Sequence, residues 1–101
     1  MASIRVVLNF RVKAGKEADL LEAGKTAKKH FDRLGVPIIV SRQVTGPESG
    51  NIFAVHQYSD WNHFAKAQSD SELAHFVELL RRDTNPPWES LTVSINEEVA
   101  L

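Results

Sequence analysis

Apolar and polar residues alternate in four stretches of the chain, and each stretch is typical of a β-strand. The first covers residues 4–13, with Ile4, Val6, Leu8, Phe10 and Val12 on one face. The second covers 36–45 and the third 52–58, separated by the turn-forming residues of 46–51. The fourth covers 88–96. Strands two and three are therefore expected to form a hairpin.

Between the strands, apolar residues recur at helical spacing. The first helix follows "KAGKEADL" and ends at Gly35, and its apolar stripe includes Gly24, where a missing side chain would permit close helix–sheet approach. A short helix capped by Ser59 or Asp60 extends to about Gln68. Ser69 and Glu72 have capping-box spacing and open another helix. The sequence stripes are Leu20, Gly24, Ala27, Phe31 and Leu34, then Leu73, Phe76, Val77 and Leu80.

The order of these elements is β-α-β-β-α-β, with the second helix broken in two. This is the ferredoxin-like order, an α+β fold with a four-stranded antiparallel sheet and helices on one face. The length of 101 residues argues for a single domain over 1–101.

The composition of the chain argues against several classes of function. The net charge of −1 favours neither nucleic acid nor an anionic membrane, and zero cysteines exclude disulfides and thiolate chemistry. "MASIRVVLNFRV" is interrupted by arginines, so we expect neither a signal peptide nor a membrane span, and a cytoplasmic protein.

The segment "FAVHQYSDWNHFAKAQ" (53–68) concentrates residues that could carry chemistry. Alternation places His56 and Tyr58 on one face of strand three. On the following helix, Trp61 shares a stripe with Phe64 and is expected in the core, whereas His63 is expected in solvent. No two histidines have i, i+4 spacing, so we expect no metal site. The chain also has no motif for a phosphate or dinucleotide cofactor, and none is expected.

The less apolar faces of the four strands mix polar and apolar groups. We assign to this second face Asn9 of strand one, His56 and Tyr58 of strand three, and Trp88 of strand four, together with Ile39. Such a face is too apolar for open water and too polar for a dry core. A second sheet packed against it, leaving a partly polar cavity, would suit it.

The stretches "NFRVKAGKEADLLEA", "FDRLGV" and "FAVHQYSDWNHFAKAQSDSELAHF" resemble the dimeric α+β barrel superfamily, nearest to its NIPSNAP-like and antibiotic-biosynthesis-monooxygenase-like branches. The resemblance covers nearly the whole chain. It implies a homodimer in which two ferredoxin-like subunits join their sheets into a barrel. It also implies ligands bound inside the barrel or between sheet and helices.

The resemblance extends to two kinds of enzyme. Haem-degrading members use an Asn, a Trp and a His; Asn9 matches, the Trp position falls near Lys66, and His75 is offset by about one residue. Cofactor-free monooxygenases use an Asn, a Trp, a Tyr and an Arg. The available residues of these types are Asn9, Trp61, Tyr58 and Arg42, without a position-by-position match.

Three functions stay open: a homodimeric barrel that binds a small organic molecule, a cofactor-independent monooxygenase or isomerase acting on an aromatic or polyketide-like substrate, and a structural module without ligand. In the second, Asn9 would hydrogen-bond an oxyanion and His56 would act as general base. The alternative for both residues is that neighbouring backbone groups satisfy them. The expected ligand-binding residues are Asn9, Arg42, His56, Tyr58 and Trp61.

Overall fold

A computed structural model describes residues 3–101, which form four strands and three helices. In chain order, these elements are β1 (Ile4–Val12), α1 (Glu17–Arg33), β2 (Ile38–Arg42), β3 (Ile52–Tyr58), α2 (Trp61–Gln68), α3 (Ser71–Arg82) and β4 (Trp88–Glu97). The predicted α+β fold class and element order are confirmed. Of the strands, β2 differs most from its predicted bounds, because it is only five residues long.

The sheet has the order β2-β3-β1-β4, and every neighbouring pair is antiparallel. The helices cover one face, and the core lies between them and the sheet. Its most deeply buried side chains are Ile4, Val36 and Tyr58. The predicted stripes of α1 and α3 face this core, with Leu20, Phe31 and Leu73 buried.

Particular residues determine where the helices begin and end. Gly35 follows α1 with φ of 69°, and the Val36 N–H donates to the Phe31 carbonyl over 2.8 Å, which closes a Schellman motif. Asp60 caps α2 by accepting from the His63 backbone N–H at 2.8 Å, as one of the two predicted caps.

The predicted capping box at Ser69 is wrong. Ser69 ends α2, and the N-cap of α3 is Asp70, which accepts from the Leu73 N–H at 2.9 Å. The same carboxylate accepts hydrogen bonds from both terminal nitrogens of Arg33, at the end of α1, over 3.0 and 2.7 Å. These two roles explain why the N-cap of α3 is Asp70 and not Ser69. A serine could cap the helix but could not also form an ion pair with an arginine.

The predicted face of β3 is also wrong. His56 pairs with Val6 and Tyr58 with Ile4, so both side chains share the helix-covered face with the core residues of β1. Asn9 pairs with Phe53 and lies on the opposite face. Alternation had correctly grouped His56 with Tyr58. Their polarity had suggested the wrong side, because β3 carries apolar residues on both faces.

Trp88 likewise changes face. The register between β1 and β4 shifts at Arg11/Val12, where Arg11 pairs with Ser90 and Val12 with Trp88. This bulge turns Trp88 to the helix-covered face, and its ring lies 5.3 Å from that of Phe10 between centroids.

The uncovered face of the sheet keeps an apolar row. Val55 of β3 pairs with Val7 on one side and Ile39 on the other, so the three side chains stand next to one another. Ile39 is 65% exposed. No helix formed by residues 3–101 is long and apolar enough to span a bilayer.

Candidate functional site

An apolar cleft of about 490 Å³ lies between the sheet and helices α1 and α3. Its floor comes from the helix-covered face of β1, β2 and β3, and its walls from Leu20 and Phe31 on α1, Phe76 and Leu80 on α3, and Trp88. The volume is in the range of small-molecule sites, which are mostly apolar with a few placed polar groups.

His56 supplies an imidazole to the floor of this cleft. The residue is 8% exposed, and its ring packs against Phe31 with centroids 4.2 Å apart. Neither ring nitrogen has a hydrogen-bond partner among residues 3–101, and neither is sealed from solvent. The nitrogens therefore retain accessible surface, and the cleft is where the ring borders open space.

Burial lowers the pKa of His56 to about 4. The cause is the apolar surroundings, which disfavour the charged imidazolium. At neutral pH the ring is therefore uncharged, with one nitrogen able to donate a hydrogen bond and the other able to accept one. Because these nitrogens border the open space of the cleft, a ligand with a polar group could pair with either of them.

Gly24 opens the cleft on the side of α1. It lies on the sheet-facing stripe, but a Cβ built there would have no atom within 4 Å. The expectation that Gly24 permits close helix–sheet approach is therefore wrong. The space that such an approach would have filled is part of the cleft.

Two lysines, Lys25 and Lys28, lie at the rim of the cleft. Each is exposed and paired along α1: Lys25 with Glu22 at 3.5 Å, and Lys28 with Asp32 at 2.7 Å. Exposed pairs of this kind are weak and exchange easily with water or other anions. The charged groups at the rim are thus basic, while the interior contains the neutral imidazole.

Asn9 does not reach the cleft. On the uncovered face of the sheet its amide donates to Glu48 and its carbonyl accepts from Asn51 at 3.0 Å. The expectation that Asn9 and His56 act together on one face is wrong, because the β1–β3 register separates them. The alternative, an asparagine satisfied by neighbours, describes Asn9, although its partners are side chains.

Two further residues predicted to bind the ligand make their contacts outside the cleft. Tyr58 is 1% exposed and packs edge-on against His63 and Phe64 beneath α2. Burial raises the pKa of its hydroxyl, offset by a hydrogen bond with Gln68. Arg42, at the end of β2, pairs with Glu17 at the start of α1. Neither side chain lines the cleft.

The two expectations for α2 are both wrong. Trp61 is 49% exposed, and its indole N–H donates to Glu97 at 2.7 Å. His63 is half-buried: Nδ1 accepts from the Ser59 N–H at 3.1 Å, which leaves Nε2 to donate to the Leu34 carbonyl at 3.2 Å. The inward face of α2 runs through His63, Phe64 and Ala67, about one residue round from the predicted stripe.

Of the five predicted ligand-binding residues, only His56 lines the cleft. Sequence reasoning missed Trp88 because nothing in "WESLTVSIN" indicates the bulge. It assigned Phe31 and Phe76 to a packed core, since their spacing is the same whether a cleft opens between helix and sheet or not. Among residues 3–101, no group of three His, Asp or Glu side chains is arranged to hold a metal ion.

No protein-family model and no curated protein matches the chain. Solved structures share its fold. One is a variant of SnoaB, a cofactor-independent oxygenase from Streptomyces nogalater, with a TM-score of 0.67 and 16% identity over 97% of this chain and 92% of that one.

Two further structures are similar in fold. A candidate antibiotic biosynthesis monooxygenase from Bordetella bronchiseptica has a TM-score of 0.69 and 14% identity, covering 99% of this chain and 100% of that one. An ethyl tert-butyl ether (EthD) family protein from Bacillus halodurans has a TM-score of 0.70 and 19% identity, covering 98% of this chain and 100% of that one. The chain therefore has the ferredoxin-like α+β fold of proteins resembling the antibiotic biosynthesis monooxygenases.

Proposed function

We propose that this protein binds a small, largely apolar organic molecule in the cleft, with one polar group of the ligand hydrogen-bonded to His56. The observation that carries the proposal is the imidazole itself, buried to nine-tenths in an apolar cleft without a partner among the described residues. A ring system fits the lining, because Phe31, Phe76 and Trp88 offer aromatic faces.

A matched pair of probes tests this proposal. 1-Naphthol and naphthalene have the same ring system, and only naphthol has a hydroxyl. In calorimetric titrations we expect the protein to bind naphthol roughly 2–10-fold more tightly, the gain of one net hydrogen bond. His56→Leu should retain naphthalene and lose the preference for naphthol.

The control is His75→Leu, the same substitution at an exposed histidine on α3 outside this cleft. It should behave as the wild type with both probes. Binding of neither probe by the wild type, or an equal preference for naphthol in His56→Leu, contradicts the proposal.

A second candidate function is proton abstraction from such a ligand, the step shared by isomerisation and cofactor-independent oxygenation. Its support is that His56 is neutral at pH 7 and so has a free lone pair, together with the fold shared with SnoaB. The low pKa makes His56 a weak base alone. A ligand anion formed beside it would stabilise the imidazolium and raise that pKa.

Exchange of carbon-bound protons with D₂O tests this step without any assumption about the later chemistry. With benzoylacetone, an aryl β-diketone, the wild type should accelerate exchange of the methylene protons beyond the buffer rate, and His56→Leu should not. Exchange at the buffer rate in the presence of wild type would exclude His56 as a base for this class.

We also propose that the protein is a homodimer of the dimeric α+β barrel superfamily, in its NIPSNAP-like or monooxygenase-like branch. The uncovered apolar row Val7–Val55–Ile39 supports the assembly, because it needs cover that one chain does not supply. The resemblance of motifs and the shared fold support the branch.

A further inference from the structure

Gly24 occupies the middle of α1, where glycine is the least favourable residue after proline. A helix interior keeps a glycine for one of three physical reasons. The backbone needs a positive φ, another element packs too closely for a Cβ, or a ligand comes against the backbone.

The structure removes the first two reasons. The positive-φ glycines among residues 3–101 are Gly15, Gly35, Gly46 and Gly50, so Gly24 has ordinary helical geometry. No atom lies within 4 Å of the position that its Cβ would take, so no neighbouring element needs the space.

The third reason is supported by a separate observation on the opposite side of the same space. His56, nine-tenths buried and without a hydrogen-bond partner among the described residues, lines the cleft that Gly24 opens. Leu20 and Phe31, buried near either end of the α1 stripe, close the cleft where Gly24 leaves it open.

We propose that Gly24 determines the size of the ligand, by letting its ring system lie against the backbone of α1 while its polar group reaches His56. The inference rests on the proposed binding in this cleft. It adds that the ligand is broad enough to extend from the floor of the sheet to α1. A side chain at position 24 would exclude the broad ligand and still admit a narrow one.

Gly24→Leu tests the proposal with phenol and 9-phenanthrol, which share a hydroxyl and differ in the number of rings. We expect the preference of the wild type for phenanthrol over phenol to fall at least tenfold in Gly24→Leu. The control, Ala18→Leu, adds similar bulk to an exposed position of α1 outside the cleft and should keep the preference. An unchanged preference in Gly24→Leu overturns the role of Gly24 but leaves ligand binding standing. A wild type that binds neither probe overturns both.

Thermal unfolding supplies a second readout that needs no ligand. If Gly24 serves only ligand size, Gly24→Ala should raise Tm by roughly 2–8 °C, and Gly24→Leu should unfold no lower than the wild type. A drop in Tm for Gly24→Ala would show that the backbone or the packing requires glycine, and the proposal would be wrong.

Discussion

At the scale of single residues, His56 shows how much of a side chain's position the neighbouring sequence can predict. Alternation correctly grouped it with Tyr58. The choice of face depended on the register with β1, in which His56 pairs with Val6, far away in the sequence. Polarity gave the wrong answer because a neutral imidazole can lie in an apolar cleft whose open space leaves its nitrogens accessible.

The burial of His56, which disfavours its charged form, should be visible as a pH dependence of stability. The native pKa of about 4 is below the usual 6.5, so between these values the unfolded chain binds more protons than the native protein. Stability should be unaffected by His56 above pH 6.5 and fall as the pH drops toward 4, by roughly 3 kcal/mol at most.

Urea unfolding of the wild type and of His56→Leu at several pH values checks this. The other histidines are common to both proteins, so the difference between the two curves isolates His56. The difference should shift in favour of His56→Leu as the pH falls from 6.5 to 4. A constant difference over this range would contradict the burial of His56 in its neutral form.

Phe31 belongs both to the hydrophobic core and to the lining of the cleft. It lies on the predicted stripe, is 6% exposed as expected, and packs on His56. Phe31→Ala should lower the free energy of unfolding by about 3–5 kcal/mol, because it removes a buried ring and enlarges a space already present. Denaturant titration measures the loss, and a value under ~1 kcal/mol would mean that α1 presents another face.

At the scale of elements, periodicity predicted the types of all seven segments and the inward faces of α1 and α3. It did not predict the junctions between elements, the faces of β3 and α2, or the side to which Trp88 points. Helix α2 has only eight residues, too few for its stripe to settle which side faces inward. Its orientation depends on the Asp60 cap and on the bonds of His63 to Ser59 and Leu34, which are tertiary contacts. The bulge that turns Trp88 inward likewise has no signature in the local sequence.

Asp70 joins two elements, because it caps α3 and pairs with Arg33 at the end of α1. The hydrogen bond from Arg33 and the Leu73 N–H hold the pKa of its carboxyl well below the usual range. Helix α3 carries one wall of the cleft, so its anchoring matters for ligand binding as well as for stability.

Two substitutions separate the roles of Asp70. Asp70→Ala removes the cap and the ion pair and should lower Tm by several degrees, whereas Asp70→Ser keeps a capping oxygen and should lose less. The remaining loss in Asp70→Ser should shrink with added salt, because the Arg33 side chain of the pair is exposed. Equal Tm values for the two variants would show that the cap contributes little. Scanning calorimetry at two salt concentrations provides the comparison.

At the scale of the whole molecule, one chain leaves apolar surface on both faces of its sheet. Ile39 is exposed on the face without helices, and Val93 and Ile95 are exposed on β4, beyond the reach of the helices. A chain of this size buries a limited fraction of its surface, so a second copy would add stability that its own core does not supply. A symmetric homodimer that buries well over ~1,200 Å² in total is the expected assembly.

Sedimentation equilibrium at micromolar concentration measures the assembly directly. The wild type should have the mass of a dimer, and Val55→Asp, which places a carboxylate in the middle of the apolar row, should shift the equilibrium toward monomer. Ala18→Asp, which also introduces a carboxylate but at an exposed position of α1, should remain dimeric. A wild type with the mass of one chain contradicts the expectation.

Strand β1 lies between β3 and β4 in the sheet, and this position affects how the sheet can assemble during translation. Of the four strands, β1 is synthesised before the two strands that it pairs with, β3 and β4, and β4 is the last of them. Until β4 has been synthesised, the nascent chain has an unpaired β1 edge and lacks Trp88, a wall of the cleft. The open edge is a template for pairing with a neighbouring nascent chain. We therefore expect polysome crowding to cause misassembly at this edge, and ligand capture only after β4 has been added to the sheet.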